Sequence, residues 1–257
     1  ERNALGESNS LAVSADVDIF NMSYGTSANS SFGTVISSDL EGALINGILN
    51  FRDGKGAIYI NSAGNDWSKN VSGSRYYCGT GYSTSNSTEL MSCWDSSFDV
   101  RYSTPWIIGT ASLDATDVRA SYSTSGSSIW VSGFGGEFGN NSAYSSINTV
   151  ESYGGNQPAI MTVDQSSCSK GYVRSGVSEG AGANLNTFNS SSYSENSSCN
   201  YTSNFNGTSA AAPTVSGVVA LMLEANSTLT WRDVKHILAT TSTQIDSSKS
   251  KSYLGVT

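Results

Sequence analysis

The segment Asn206–Pro213 (NGTSAAAP) carries a serine at the point where a turn of small residues runs into a long apolar stretch. The residues that follow, to about Glu224, are apolar at nearly every position and predict a helix buried on nearly every face. A serine at the start of such a helix is close to unpaired backbone N–H groups and the positive end of the helix dipole, which favour developing negative charge. Ser209 is therefore a candidate nucleophile. The structural alternative is that Ser209 or Thr208 is only the helix N-cap.

Acyl transfer by a serine also needs a base, a group that orients the base, and hydrogen-bond donors for the oxyanion. Asn65 is a candidate donor, because it follows a small-residue turn directly after the predicted strand Ala57–Ser62. The backbone N–H of Ser209 is the second candidate. The alternative for Asn65 is a turn asparagine that tolerates left-handed backbone geometry.

The base is the missing component, since His236 is the only histidine in the chain. It lies in a predicted amphipathic helix, Leu229–Ala239, whose start carries a capping box formed by Thr230 and Asp233. A histidine in that setting is more often structural than catalytic. The sequence therefore predicts that His236 is not the base.

Composition limits the function classes. Only 13% of the 257 residues are charged, and 13 Lys and Arg against 21 Asp and Glu give a net charge of −8. A surface of Ser, Thr, Asn and Gly is typical of a secreted protein, and the negative charge argues against nucleic acid and anionic membrane as partners. The length fits one large α/β domain, and no apolar run approaches the roughly 20 residues that span a bilayer.

The four cysteines lie in polar segments that predict loops, and none has the C-x-x-C spacing of a zinc site. Two disulfides are expected in an extracellular protein. The simplest pairing is Cys78 with Cys93 and Cys168 with Cys199, although four cysteines permit three connectivities.

Hydrophobic periodicity predicts an alternating α/β order. A helix is expected from Asp39 to Phe51, capped by Ser37 or Ser38. Strand, helix and strand in succession predict a right-handed parallel crossover. Residues 66–104 and 166–206 are interpreted as polar excursions, and residues 1–16 as the tail of a helix or linker before a core at 17–257. The predicted strands are Val17–Ser23, Ala57–Ser62, Pro105–Ala111, Ile129–Val131 and Ala159–Val163.

The string Gly-Thr-Ser-Ala-x-x-Pro around Ser209 resembles the nucleophile segment of subtilisin-like serine proteases, the subtilases. The G-x-S-x-G elbow of α/β-hydrolases fits less well, because Ala211 stands at its last glycine. The resemblance extends from about Val17 to Thr243. It implies a secreted serine endopeptidase with a subtilisin-like three-layer α/β fold, whose mostly parallel sheet has helices on both faces. Ser209 would be its nucleophile, and Asn65 would lie in its oxyanion hole.

In subtilases the catalytic Asp and His precede the serine, in segments resembling Asp-Ser/Thr-Gly and His-Gly-Thr. Neither segment occurs before Ser209 in this chain. We therefore expect both residues to be supplied from N-terminal to residue 1, so that this chain is the C-terminal part of the catalytic domain and is inactive alone.

The resemblance also assigns substrate-binding residues. The segment around Ser23, Tyr24 and Gly25 looks like the subtilase segment whose extended backbone pairs with the substrate on the N-terminal side of the scissile bond. Ala63 and Gly64 would form the opposite wall of the pocket for the side chain that precedes that bond.

Segments such as Leu223–Asn226 and Leu229–Asp233 are most similar to the kexin/furin-like branch, whose members cleave after basic residues and hold calcium nearby. Residues 26–30 depart from that branch, because they contain no carboxylate after Tyr24-Gly25. The candidates for an acidic pocket or a calcium site are then Asp66, Asp95 and Asp99. A structural calcium is thus an expectation without assigned ligands, and no cofactor is expected in catalysis.

The expected partners are a peptide or protein substrate and a propeptide, chaperone or downstream domain. Two other functions stay open. One is a catalytically inactive subtilase-like module that binds peptides or proteins. The other, less favoured, is an esterase or lipase-like hydrolase that uses His236.

Overall fold

The computed structural model describes residues 17–25, 36–71, 74–77, 92–139, 157–175 and 187–245. Its residues form two compact units that alternate along the chain. Of the described residues, the first unit comprises 17–25, 36–71, 74–77, 92–112, 122–135 and 206–240, and the second comprises 113–121, 136–139, 157–175, 187–205 and 241–245. The predicted helix tail at 1–16 lies outside the described residues.

The described elements alternate as the sequence predicts for an α/β protein. In chain order the strands are β1 (Ile19–Met22), β2 (Ile58–Ser62), β3 (Ser68–Val71), β4 (Ser74–Tyr77), β5 (Ile107–Leu113), β6 (Ile129–Phe134), β7 (Ile160–Val163) and β8 (Tyr201–Phe205). The helices are α1 (Ser38–Asn50), α2 (Thr208–Ala225) and α3 (Trp231–Thr241).

A four-stranded sheet with the order β1-β2-β5-β6 organises the first unit. Strand β2 pairs in parallel with β1 on one side and with β5 on the other. Every residue of β2 is buried, as expected for a strand covered on both faces. The predicted parallel crossover from β1 through α1 to β2 is confirmed.

Helices cover both faces of this sheet. On one face, the rings of Phe20 and Tyr59 stack with their centroids 5.1 Å apart, and the Tyr59 hydroxyl lies directly against Gly47 of α1. On the other face, Ser216 of α2 donates a hydrogen bond of 3.3 Å to Asn21 of β1. The expected three-layer subtilisin-like arrangement is therefore confirmed.

The ends of two helices follow the predicted capping chemistry. Ser37 precedes α1, and its side chain accepts a hydrogen bond from the Leu40 amide. Before α3, the carboxylate of Asp233 accepts from the amide and the hydroxyl of Thr230, and the Asp233 amide donates to that hydroxyl. This reciprocal pair is the capping box, and it fixes where α3 begins.

One face of α2 differs from the prediction. Val219 is fully buried in the core, but the side chains of Val218 and Leu221 are 51% and 66% exposed. The prediction that α2 is buried on nearly every face is therefore wrong for its outward face, because composition alone does not show which side of a uniformly apolar helix meets the sheet. The 18 residues of α2 also satisfy the length and hydropathy of a membrane span, a test that core helices of soluble proteins pass as well.

The second unit contains a strand that the sequence does not predict. Strand β8 pairs antiparallel with the predicted β7, whereas residues 166–206 were expected to form only a tethered polar excursion. Its sequence, Tyr-Thr-Ser-Asn-Phe, has too little apolar alternation to predict a strand, so the pairing partner determines its conformation. The excursion at 66–104 likewise contains the β3–β4 hairpin and two short 3₁₀ helices, Ser96–Phe98 and Val100–Ser103.

One predicted disulfide is present between Cys168 and Cys199. Cys93 is also disulfide-bonded, but its predicted partner Cys78 lies outside the described residues. Next to the Cys168–Cys199 bridge, the Asp164 carboxylate accepts hydrogen bonds from the amides of Tyr172 and Val173. These bonds tie the bridged segment to the end of β7.

We predict that Tyr59→Phe raises the free energy of unfolding by about 1 kcal/mol, because it removes a buried hydroxyl that has no hydrogen-bond partner within the described residues. Burial also raises the pKa of Tyr59. The matched variant Gly47→Ala should be destabilising, since its new methyl would overlap the Tyr59 hydroxyl. The measurement is chemical unfolding of each variant. A loss of 1 kcal/mol or more in Tyr59→Phe would contradict the prediction.

Candidate active site

Ser209 is the second residue of α2, and its side chain does not cap the helix. The N-cap position is Gly207, which has no side chain to cap the helix. The Ser209 hydroxyl instead donates to the carbonyl oxygen of Ser23 at 3.3 Å. The alternative that Ser209 or Thr208 is only an N-cap is therefore wrong.

Asn65 lies beside the start of α2 because Thr208 binds it twice. The amide and the hydroxyl of Thr208 both donate to Asn65 Oδ1, each at 2.9 Å. The same hydroxyl accepts a hydrogen bond of 3.1 Å from the Gly64 amide. These three bonds join the residues that follow β2 to the first residue of α2. Thr208 is a positioning residue whose role the sequence does not reveal.

Gly207 leaves open a small space between two N–H donors. A Cβ at this position would lie 3.3 Å from Asn65 Nδ2 and 3.6 Å from the backbone nitrogen of Ser209. The φ angle of Gly207 is +109°, a conformation that glycine adopts without strain. Its amide donates to the Tyr122 hydroxyl at 2.8 Å. The two predicted oxyanion donors therefore flank one space next to Ser209.

A cavity of about 410 Å³ lies beside Ser209. Its lining includes the predicted substrate-binding residues, with one wall formed by Ser23, Tyr24 and Gly25 after β1 and a second formed by Ala63 and Gly64 after β2. Together with Asn65 and Ser209, every site residue predicted from the sequence lines this single cavity. The carboxyl ends of adjacent parallel strands meet here, which is where open α/β sheets bind ligands.

The two walls are fixed by side chains that sequence reasoning did not single out. Buried Asn61 donates through Nδ2 to the carbonyl oxygens of Met22 at 2.7 Å and Tyr24 at 3.1 Å. The Tyr102 hydroxyl donates to the carbonyl oxygen of Ser62. The sequence does contain one sign of this role, because Asn61 is a polar residue within the largely apolar strand β2.

Three carboxylates also line the cavity, namely Asp66, Asp95 and Asp99. Partial burial raises the pKa of Asp66. The Asp95 carboxylate accepts a hydrogen bond of 2.8 Å from the Ser97 amide. Asp99 forms an ion pair with Arg101, whereas no ion pair of Asp66 or Asp95 is found in the part of the chain that the structure describes.

His236 does not line the cavity. It lies on α3 as an exposed residue, and the cavity contains no histidine among its described lining residues. The hydrolase hypothesis that used His236 as a base is therefore contradicted, and His236 is a surface residue.

Among the described residues, no group of three or more His, Cys, Asp or Glu side chains is arranged to hold a metal ion. The expected structural calcium stays a prediction without ligands in the described ranges.

Comparison with known proteins gives a consistent result. Residues 3–256 match the sequence model of the Subtilase family. The Aeromonas extracellular serine protease of Aeromonas sobria is 33% identical over 95% of this chain and 34% of its own length. Human proprotein convertase subtilisin/kexin type 6 is 37% identical over 44% of this chain and 12% of its own length.

Solved structures agree with these matches. The crystal structure of the serine protease of Aeromonas sobria has a TM-score of 0.70 and 30% identity, covering 95% of this chain and 36% of that one. The complex of that protease with its chaperone gives the same TM-score at 29% identity. The chain thus spans about a third of the length of these Aeromonas relatives.

Proposed function

Because the chain belongs to the subtilase family, we propose that it is the C-terminal part of the catalytic domain of a secreted serine endopeptidase, with Ser209 as the nucleophile. The observation that carries this proposal is the convergence of the Ser209 hydroxyl, the Ser209 amide and Asn65 Nδ2 at one end of a cleft. The catalytic His and Asp are supplied from N-terminal to this chain, which alone is inactive.

In the proposed reaction, Ser209 Oγ attacks the carbonyl carbon of the scissile peptide bond while its proton passes to the histidine. The carbonyl oxygen then carries negative charge in the space beside Gly207, where Asn65 Nδ2 and the Ser209 amide donate hydrogen bonds to it. The histidine returns the proton to the leaving amine as the C–N bond breaks. Water hydrolyses the acyl-enzyme by the reverse proton transfers and regenerates Ser209.

Substrate binding uses the walls of the cleft. The segment Ser23–Gly25 continues from the end of β1 and presents extended backbone, to which a peptide adds as a neighbouring strand. Asn61 holds this wall through the Tyr24 carbonyl. The resting bond from the Ser209 hydroxyl to the Ser23 carbonyl, at 3.3 Å, must break when the hydroxyl turns toward the base.

The cavity also supports a kexin-like preference for a basic residue immediately before the scissile bond. Asp66 and Asp95 line the space between the two walls, and opposite charges about 4 Å apart attract by about 4 kcal/mol at an effective dielectric constant of 20. A Lys or Arg side chain entering this space would replace part of its lost hydration with these carboxylates. Asp66 and Asp95 would thus take the place of the carboxylate that is missing after Gly25.

Secretion and a protein partner belong to the same proposal. The Aeromonas relative is described as extracellular, and its structure includes a complex with a chaperone. A low content of charged residues and at least one disulfide fit an extracellular protein. A propeptide, chaperone or downstream domain is the corresponding partner here.

A catalytically inactive subtilase-like module that binds peptides is the second candidate, because the described cavity contains binding walls but no histidine. The two candidates differ in the sequence that precedes Glu1 in the gene. The peptidase requires Asp-Ser/Thr-Gly and His-Gly-Thr segments there, and the binding module does not.

We predict that the full-length protein reacts with a fluorophosphonate probe at Ser209, whereas this chain alone reacts poorly because it lacks the base. Ser209→Ala should abolish labelling, and His236→Ala should leave it unchanged. The measurement is gel fluorescence with mass-spectrometric assignment of the labelled residue. Strong labelling of the isolated chain that disappears in His236→Ala would overturn the assignment of the base.

We predict that Asn65→Ala lowers kcat by about 10²–10³-fold with little change in KM, because it removes one oxyanion donor. The matched variant Asn65→Asp keeps an oxygen that accepts from Thr208 but removes the N–H donor, and it should lose at least as much. Asn50→Ala, on the exposed end of α1, is the control. Near-normal kcat in Asn65→Asp would show that Asn65 only positions Thr208.

We predict that Asp95→Asn lowers kcat/KM by at least about tenfold for a peptide with Lys before the scissile bond, and not for the matching norleucine peptide, because the uncharged amide attracts the ammonium group less strongly. The amide oxygen can still accept from Ser97, so the loop keeps its geometry. Asp53→Asn, far more exposed, is the control. Equal losses for both peptides would contradict an acidic pocket.

A further inference from the structure

Asp99 and Arg101 form a two-point ion pair at the wall of the cavity. Arg101 Nε donates to Asp99 Oδ1 at 2.9 Å, and Arg101 Nη2 binds Asp99 Oδ2. The side chain of Arg101 is only 9% exposed, and that of Asp99 is 15% exposed. Such a fork-shaped pair fixes the orientation of both partners, and their opposite charges sum to zero.

The pair is built locally by a short turn. Asp99 precedes the 3₁₀ helix Val100–Ser103, and its Oδ1 caps the Arg101 amide at 3.1 Å. Backbone and guanidinium therefore bind the same carboxylate, so the pair needs no distant element to form. The carboxylate of Asp99 raises the pKa of Arg101 against the opposing effect of burial.

The guanidinium of Arg101 also contacts the substrate-binding wall. Nη1 lies 3.4 Å from the Tyr24 carbonyl oxygen as a hydrogen-bond donor, and the guanidinium carbon lies 5.8 Å from the centre of the Tyr24 ring. A Cβ on Gly25 would come within 3.0 Å of Nη2. Glycine at position 25 thus allows Arg101 to approach the wall directly.

Given the proposed peptidase function, we propose that Arg101 is a specificity-determining residue that neutralises Asp99 within the cavity. Among the residues that the structure describes, the charged groups that line or border the cavity are Asp66, Asp95, Asp99 and Arg101, and Tyr24 and Tyr102 are the neighbouring phenols. Because Arg101 cancels Asp99, the negative charge offered to a substrate comes from Asp66 and Asp95. Asp99 is then a third carboxylate whose attraction for a basic substrate side chain is offset by Arg101.

This arrangement makes opposite predictions for the two single variants. Arg101→Gln removes the positive charge that offsets the Asp99 carboxylate, so binding of a basic side chain strengthens. Asp99→Asn leaves the cation of Arg101 uncompensated, so binding of a basic side chain weakens. The double variant Arg101→Gln/Asp99→Asn removes both charges and restores the original balance.

The test measures equilibrium binding to full-length Ser209→Ala protein of two peptides that end in Lys or in norleucine, which differ only in the terminal ammonium group. We expect the preference for Lys, as the ratio of the two Kd values, to rise about tenfold in Arg101→Gln and to fall about tenfold in Asp99→Asn. The double variant should lie within about threefold of the parent.

Preference ratios that stay constant in all three variants, with both peptides weakened equally, would overturn the proposal and make Arg101 only a structural support for Tyr24. If Arg101→Gln does not fold, Asp99→Asn and Arg101→Lys decide. The first must lose preference for Lys, and the second must keep it. Turnover of both peptide series by unmutated Ser209 protein is scored separately, so its absence counts against the peptidase function and not against the charge balance.

Discussion

The paired hydrogen bonds from Thr208 to Asn65 are the constraint on which the site depends. They join residues 143 positions apart, at the end of a buried strand and at the start of a helix. Without them, Ser209 and Asn65 would be carried by separate elements with no reason to face one space. Because Oδ1 accepts both bonds, the orientation of the amide is set and Nδ2 is the atom left for a ligand. A threonine that is not itself a reactant thus determines where the donors point.

Asn61, a second asparagine near the site, uses its side-chain amide to bind backbone carbonyl groups instead. Asn61 is fully buried within β2, and its Nδ2 donates to the carbonyl groups of Met22, the last residue of β1, and of Tyr24 beyond it. Its Oδ1 has no partner among the described residues, a cost of about 1–3 kcal/mol that an apolar residue would avoid. Asn61 therefore supports the geometry of the cleft at a cost in stability. Its hydrogen bonds hold the chain beyond Met22, which is the last residue of β1 that pairs with β2.

How much the sequence predicts depends on how local the cause is. The helix caps at Ser37 and Thr230 arise within three residues, so the sequence predicts the capping box at Thr230 and narrows the other cap to Ser37 or Ser38. The segment around Ser209 is also contiguous, so its place at a helix start could be predicted. Strand β8 could not, because its conformation depends on pairing with β7 across the Cys168–Cys199 segment.

Long-range contacts account for the site residues that the sequence did not reveal. Arg101 matters because it reaches Tyr24, 77 positions away, and nothing in the string around Arg101 points to that wall. The same holds for Tyr102 and its bond to the Ser62 carbonyl. Asp66, Asp95 and Asp99 could be named as candidates from their residue type, but only the fold shows that all three border one cavity.

The geometry around Ser209 also explains why a base is required from elsewhere. Its hydroxyl donates at 3.3 Å to a neutral carbonyl oxygen, which cannot remove a proton. In the proposed reaction the helix dipole and the two N–H donors would stabilise charge that has already developed on a substrate oxygen, but they would not generate the alkoxide. Oxyanion donors and binding alone still leave a residual acceleration of about 10³–10⁴-fold over water in related catalytic constellations. In the proposed reaction the donors therefore add to the effect of a base and do not replace it.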